Sequence, residues 1–187
     1  MHTLGRAFFL VTALELAVPA PVGAELRISD LDVYLNDQEV TVHAVLLGAI
    51  PAGFKESIES GIPAHIRFTV ELWQYSRFWR DRLLISRVVE RTLTYNVVTK
   101  EYKVAPLRGE TSQPYMTKEL RDAQRVVSEL QSLKLTAVSS LEPTEVFYVR
   151  VFAEAALRGE NSFLARMAGT AEQTIRQSDY RTITRVQ

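Results

Sequence analysis

Cysteine is absent from all 187 residues, which excludes disulfides, thiol chemistry and a lipid-modified N-terminal cysteine at once. A surplus of either charge is missing too, since 22 basic residues stand against 22 acidic ones for a formal net charge of zero. Binding to a phosphate backbone runs on excess Lys and Arg, so nucleic acid is not an expected partner. No apolar run reaches the roughly 20 residues that span a bilayer. No Gly/Ser-rich or Pro-rich linker divides the chain. What remains is one ordinary domain that must hold itself together by core packing alone.

The first 24 residues have an order of their own. Arg6 precedes the apolar run Ala7 to Leu14, Pro19 and Pro21 follow, and Val22-Gly23-Ala24 supplies a small-residue exit. That is how a secretory signal peptide is built, so cleavage after Ala24 is expected, giving an exported, periplasmic, soluble protein that is not a lipoprotein. Glu15 interrupts a run already too short for a membrane anchor. Arg6 and Glu15 leave together, so the charge balance of residues 25–187 is unchanged.

Most of the remainder reads with period two, the mark of strands with one wet and one dry face. Glu25 to Leu35 and Glu39 to Leu47 flank the polar turn Asn36-Asp37-Gln38 and predict a hairpin. The clearest alternation sets Ala64, Ile66, Phe68, Val70 and Leu72 against His65, Arg67, Thr69 and Glu71. Leu83 to Val98 and Glu101 to Val104 continue as strands up to a loop marked by Pro106, Gly109 and Pro114. Leu133 to Val138 and Glu145 to Glu154 add two more.

Two helices interrupt the strands: Gly53 to Ser60, stopped by Gly61 and Pro63, and about Thr117 to Leu133, with Thr117 as N-cap. At the C-terminus Asn161 could cap a helix burying Leu164, Met167, Ala168, Ala171 and Ile175, with Tyr180 to Val186 as a last strand. The expected class is α+β, strand-dominant: a twisted antiparallel sheet folded over two amphipathic helices, in a single β-rich domain over residues 25–187.

Signatures of chemistry are few. His43 and His65 fall on the polar faces of their strands and read as solvated, because no Cys/His/carboxylate spacing forecasts a third ligand. No metal and no cofactor are expected. Ser57, Ser60, Ser76 and Ser86 lie in no nucleophile elbow, and Gly48 to Gly53 lacks the phosphate-loop spacing. An enzyme is therefore not expected.

One segment stands out. Trp73-Gln74-Tyr75-Ser76-Arg77-Phe78-Trp79-Arg80-Asp81-Arg82 holds both tryptophans of the chain among alternating cations. In the structural reading Trp73 and Trp79 plug the end of the sheet under Arg77 and Arg80. In the functional reading Trp73, Tyr75, Arg77, Trp79, Arg80 and Asp81 form a contact patch, because Trp, Tyr and Arg dominate binding hot spots. The two readings are compatible if one Trp packs and the other is exposed, and Trp73, next to the Leu72 face boundary, is the better candidate for the core plug, with Trp79 the anchor.

The segment also carries a resemblance. Gly61-Ile62-Pro63 before a strand, Trp73 to Arg77, Trp79 with Asp81, Leu93-Thr94-Tyr95 running to Thr99, and Tyr102-Lys103-Val104 resemble the DUF4390 family of exported bacterial proteins. The Leu120 to Leu130 helix and Tyr148-Val149-Arg150 extend the resemblance over most of residues 25–155. It departs at Ala155 to Asn161, where the family has a proline-containing segment. The resemblance implies an envelope protein and transfers no catalytic residue.

The leading expectation is a non-catalytic periplasmic module that presents this patch to an envelope protein partner, for instance the outer part of a membrane sensor. A carrier of an apolar small molecule or lipid is the alternative, and requires a dry cavity between the sheet and the Thr117 to Leu133 helix. An enzyme would show His43 or His65 meeting carboxylates in a cleft.

Overall fold

Period-two stretches become strands, and their register decides which faces meet. The computed structural model describes residues 25–36, 38–157, 171–179 and 181–182. The expected leader and the expected helix start at Asn161 lie outside them. In chain order the elements are β1 (Arg27–Asn36), β2 (Glu39–Leu47), α1 (Ala52–Glu59), β3 (Ala64–Gln74), β4 (Arg82–Asn96), β5 (Glu101–Arg108) and β6 (Tyr115–Thr117). Then come α2 (Leu120–Ser128), β7 (Glu129–Ala137), a 3-10 turn at Val138–Ser140, β8 (Val146–Leu157), β9 (Ala171–Gln177) and β10 (Arg181–Thr182).

The strand-dominant α+β class holds, but the strands divide between two antiparallel sheets. One has the order β1-β2-β7; the other runs β10-β8-β3-β4-β5-β6, with β9 also paired to β8. The expected first hairpin forms, with Asn36 opposite Glu39 and Arg27 opposite Leu47. A single core draws on both sheets and both helices, including Val42 and Leu46 from β2, Phe54 and Ile58 from α1, and Ala123 and Val127 from α2. On β3 the alternation works as read: Ala64, Ile66, Phe68, Val70 and Leu72 are buried, while Arg67 is exposed and Thr69 and Glu71 are half-buried on the other face.

Several boundaries differ from the sequence reading, each because a partner strand won. The second helix stops at Ser128, and Glu129 to Leu133 belong to β7, where Leu130 pairs with Ala44 and Leu133 with Val42. Leu130 suits a helical stripe and a buried strand equally, so periodicity could not separate them. The helix N-cap is Glu119; the Thr117 hydroxyl instead accepts the Glu119 N–H at 3.1 Å in the preceding turn. Pro106 lies within β5 rather than in a loop. It sits opposite Arg91, beyond the stretch where β6 pairs with β5, so its missing N–H breaks no ladder bond on that open side. Ala171 and Ile175 belong to β9 rather than to a helix, and Ile175 is exposed where the helical reading buried it. Of the expected last strand, Arg181 and Thr182 are paired, with Phe147 and Val146.

Two polar fixtures lock helices to sheets. The Tyr102 hydroxyl donates to the Glu59 carboxylate at 2.8 Å, tying α1 to β5. Burial, helped by that carboxylate, pushes the phenol pKa up to about 12. Arg91 is buried on β4 and spans three segments. Its guanidinium donates to both Glu110 carboxylate oxygens (2.8 and 2.5 Å) and to the Val126 and Glu129 carbonyls (each 2.7 Å), meeting the C-terminal end of α2 where the helix turns into β7.

Between Arg91 and Glu110 the chain passes Gly109 at φ +80°, where an added Cβ would lie 2.2 Å from the Val88 carbonyl oxygen. Only glycine fits there. Gly109→Ala is expected to cost at least about 2 kcal/mol, from left-handed strain and displacement of β4. Denaturant unfolding checks this, and an unchanged midpoint at unchanged slope would refute the close approach.

Candidate functional site

Strand alternation places Trp73 on the face of β3 opposite Leu72, so it does not plug the core as the structural reading had it. It lies half-buried on the outward side, with its ring stacked on Tyr148 at 6.4 Å between centroids and 6° between planes. The pairing register does this, since Trp73 sits directly across from Tyr148 and Glu71 across from Arg150. Arg150 lies over both rings, 5.1 Å from the Trp73 centroid and 5.6 Å from that of Tyr148. The indole N–H donates to the Glu71 carboxylate at 2.8 Å. These four side chains form a fixed shelf in which Tyr148 is buried and Trp73, Glu71 and Arg150 are half-buried.

Beyond the shelf, residues 75–81 turn the chain from β3 to β4, and main-chain bonds pin the turn. The Tyr75 N–H donates to the Val146 carbonyl at 2.8 Å. Asp81 holds the base of the loop: one carboxylate oxygen accepts the Ser76 N–H at 3.0 Å and the other accepts the Tyr148 hydroxyl at 2.8 Å. The Trp79 N–H donates to the Ser76 hydroxyl at 3.2 Å.

From this fixed base the tip projects. Phe78 is 88% exposed and Trp79 85%. Arg77, Arg80 and Arg82 around them are exposed as well. Arg77 lies over the Phe78 ring at 5.5 Å; the sequence reading had put Arg77 and Arg80 over the tryptophans.

Of the six patch residues read from the sequence, the structure gathers all at one corner but in different roles. Trp73 belongs to the shelf and Asp81 to the clamp. Tyr75 is 39% exposed beside them, while Arg77, Trp79 and Arg80 belong to the tip. Phe78, Glu71, Tyr148 and Arg150 were missed. Phe78 lay within the segment and could have been included, whereas Tyr148 and Arg150 join only through the β3–β8 register.

His43 and His65 are half-buried rather than solvated. His43 Nε2 lies 4.0 Å from a Glu129 oxygen, and His65 Nδ1 lies 3.7 Å from a Glu90 oxygen without a hydrogen-bond partner. They stand on different sheets, His43 on β2 and His65 on β3, and do not converge. Arg67, facing Glu90 at 3.3 Å and Glu154 at 3.8 Å, completes a line of alternating charge across β4, β3 and β8. Among the described residues no three His, Cys, Asp or Glu side chains are grouped to hold a metal. No helix among them is long and apolar enough to cross a membrane.

A groove of about 800 Å³ runs between the 109–115 segment and α2–β7. It is open and mixed in character, with Glu110, Arg125 and Lys134 beside Val104, Val126 and Leu133 in its walls, rather than the enclosed dry cavity an apolar carrier requires.

Fold and corner together define a two-sheet, strand-dominant α+β domain with a clamped, aromatic-tipped hairpin. The family model described as a domain of unknown function, DUF4390, matches residues 23–160, and the chain belongs to that family. Comparison with curated proteins gives no match, and comparison with solved structures gives none.

Proposed function

We propose that the chain is a non-catalytic binding module, exported to the periplasm, whose contact surface is the corner built from residues 73–82 with Tyr148 and Arg150. The supporting observation is the combination of a fixed base and an exposed aromatic at its edge. Asp81 and the Trp73–Tyr148–Arg150 stack hold the corner still, while Tyr75 beside them is 39% exposed. A surface ordered before binding loses less conformational entropy on association, and aromatic and Arg side chains supply most hot-spot affinity. Export is supported by the charge, apolar run and small-residue exit of residues 1–24.

The shelf is the half suited to an envelope protein, since half-buried Trp73 and Arg150 lie fixed there with exposed Tyr75 at the edge. Tyr75→Ala is expected to weaken capture of that partner about tenfold or more, with little change in melting temperature. Capture from the native envelope and thermal unfolding are to be measured on the same preparations. If every loss of capture follows a loss of stability, the corner is only structural and the proposal fails.

A further inference from the structure

We propose that the hairpin tip, Arg77-Phe78-Trp79-Arg80, docks the domain onto the surface of an anionic lipid bilayer, with both rings at headgroup level and the arginines among the lipid phosphates. This rests on reading the corner as a contact surface and concerns its convex half, leaving the shelf to the protein partner.

Three observations converge. The two rings are adjacent and more than four-fifths exposed, whereas Tyr75 and Leu83 nearby are about half as exposed at 39% and 44%. Rings this far out touch little of their own protein, and an aromatic side chain is favoured at a membrane–water boundary.

The local charge is net positive, three arginines to one acid over residues 77–82, in a chain whose total charge is zero. Arg77, Arg80 and Arg82 are exposed, and among the described residues none of them forms a salt bridge. The one acid between them, Asp81, has both oxygens engaged within the fold, by the Ser76 N–H and the Tyr148 hydroxyl. The tip therefore presents cations to an approaching surface, and each cation near an anionic leaflet adds to the attraction.

The shape selects lipid over protein. A hot-spot anchor needs a ring of contacts that exclude water around it. Here the immediate neighbours of the rings are exposed arginines. A bilayer interface supplies apolar depth for the rings and an anionic rim for the cations without requiring a matched pocket. The clamp at Asp81 keeps the tip erect, so docking does not have to order it.

The probe is vesicles of phosphatidylcholine with an equal part of phosphatidylglycerol, against phosphatidylcholine alone, using the full chain. Trp73→Phe leaves Trp79 as the sole tryptophan, because the chain has two. Its emission is expected to shift to shorter wavelength with the anionic vesicles, and less so at high salt.

The affinity for the anionic vesicles read by co-sedimentation should fall about thirtyfold for Arg77→Ser with Arg80→Ser, two cations lost. It should fall further for Phe78→Ser with Trp79→Ser, at unchanged melting temperatures. Every variant carries the same N-terminal apolar run, so differences between them belong to the tip.

Unshifted Trp79 emission with anionic vesicles overturns the proposal. So does co-sedimentation indifferent to both tip variants, or tip variants that spare vesicle binding yet abolish protein capture. Failure of the shelf reading looks different: Tyr75→Ala would leave capture unchanged while vesicle binding stays intact.

Discussion

Phe68→Ala is expected to destabilise the domain by about 3 to 5 kcal/mol, and Thr69→Ala by well under 1. Phe68 is fully buried at the centre of β3, opposite Val89 on β4 and Ala153 on β8, and is among the largest side chains with no exposure. Removing its ring forfeits the transfer energy of the ring and leaves a cavity that these neighbours can fill only by moving paired strands. Thr69, one residue on, faces outward beside Phe152 and Val88 and leaves no void. Denaturant unfolding of both variants decides it. Equal losses would mean that the β3 register is wrong, and the placement of Trp73 on the shelf would fall with it, since a one-residue slip reverses every side chain.

The second large effect is expected at Arg91. Arg91→Met keeps the volume but strips the charge from Glu110, whose side chain is 19% exposed against 10% for Arg91, and removes the donors from the Val126 and Glu129 carbonyls. Breaking a buried pair while leaving one charge behind costs about 3 kcal/mol or more. The short Lys134–Glu39 contact, 2.6 Å but with side chains 53% and 33% exposed, is worth at most about 1 kcal/mol. Adding Glu110→Gln to Arg91→Met should recover part of the loss, because the stranded carboxylate is then neutral. If the double variant is no more stable than the single one, the penalty lies in the unmet carbonyls at the end of α2. If the single variant is as stable as the parent, Arg91 is not the fixture described.

How much of this was legible in the sequence depends on locality. β3 was readable because five apolar residues alternate without interruption, and α1 because Phe54 and Ile58 are four apart and Gly61 stops the helix. The β1–β2 hairpin was readable from its polar turn. The end of α2 was not, because Leu130 satisfies both periods and only its pairing with Ala44 chooses the strand. The split into two sheets is likewise a matter of which strand finds which partner. At the corner, the sequence marked the right segment through its two tryptophans and alternating arginines. It could not show that Trp73 meets Tyr148 or that Asp81 ties the loop to the same tyrosine, since those contacts join distant parts of the chain. It did set the two tryptophans apart, with Trp73 as the better candidate for the plug and Trp79 as the anchor, but the register stacks Trp73 into a shelf on the outward face while Trp79 stands in water.

The claim that the 73–82 corner is the contact surface is tested most directly by site-specific photocrosslinking in the intact cell envelope. A photoreactive residue at position 75, beside the shelf, is compared with one at position 98. Val98 is 85% exposed but lies on the β4–β5 turn, at the end of the large sheet away from the corner. A discrete adduct from position 75, with none from position 98, is the predicted result. An adduct from position 98 with none from position 75 would contradict it and move the contact surface to the other end of the sheet.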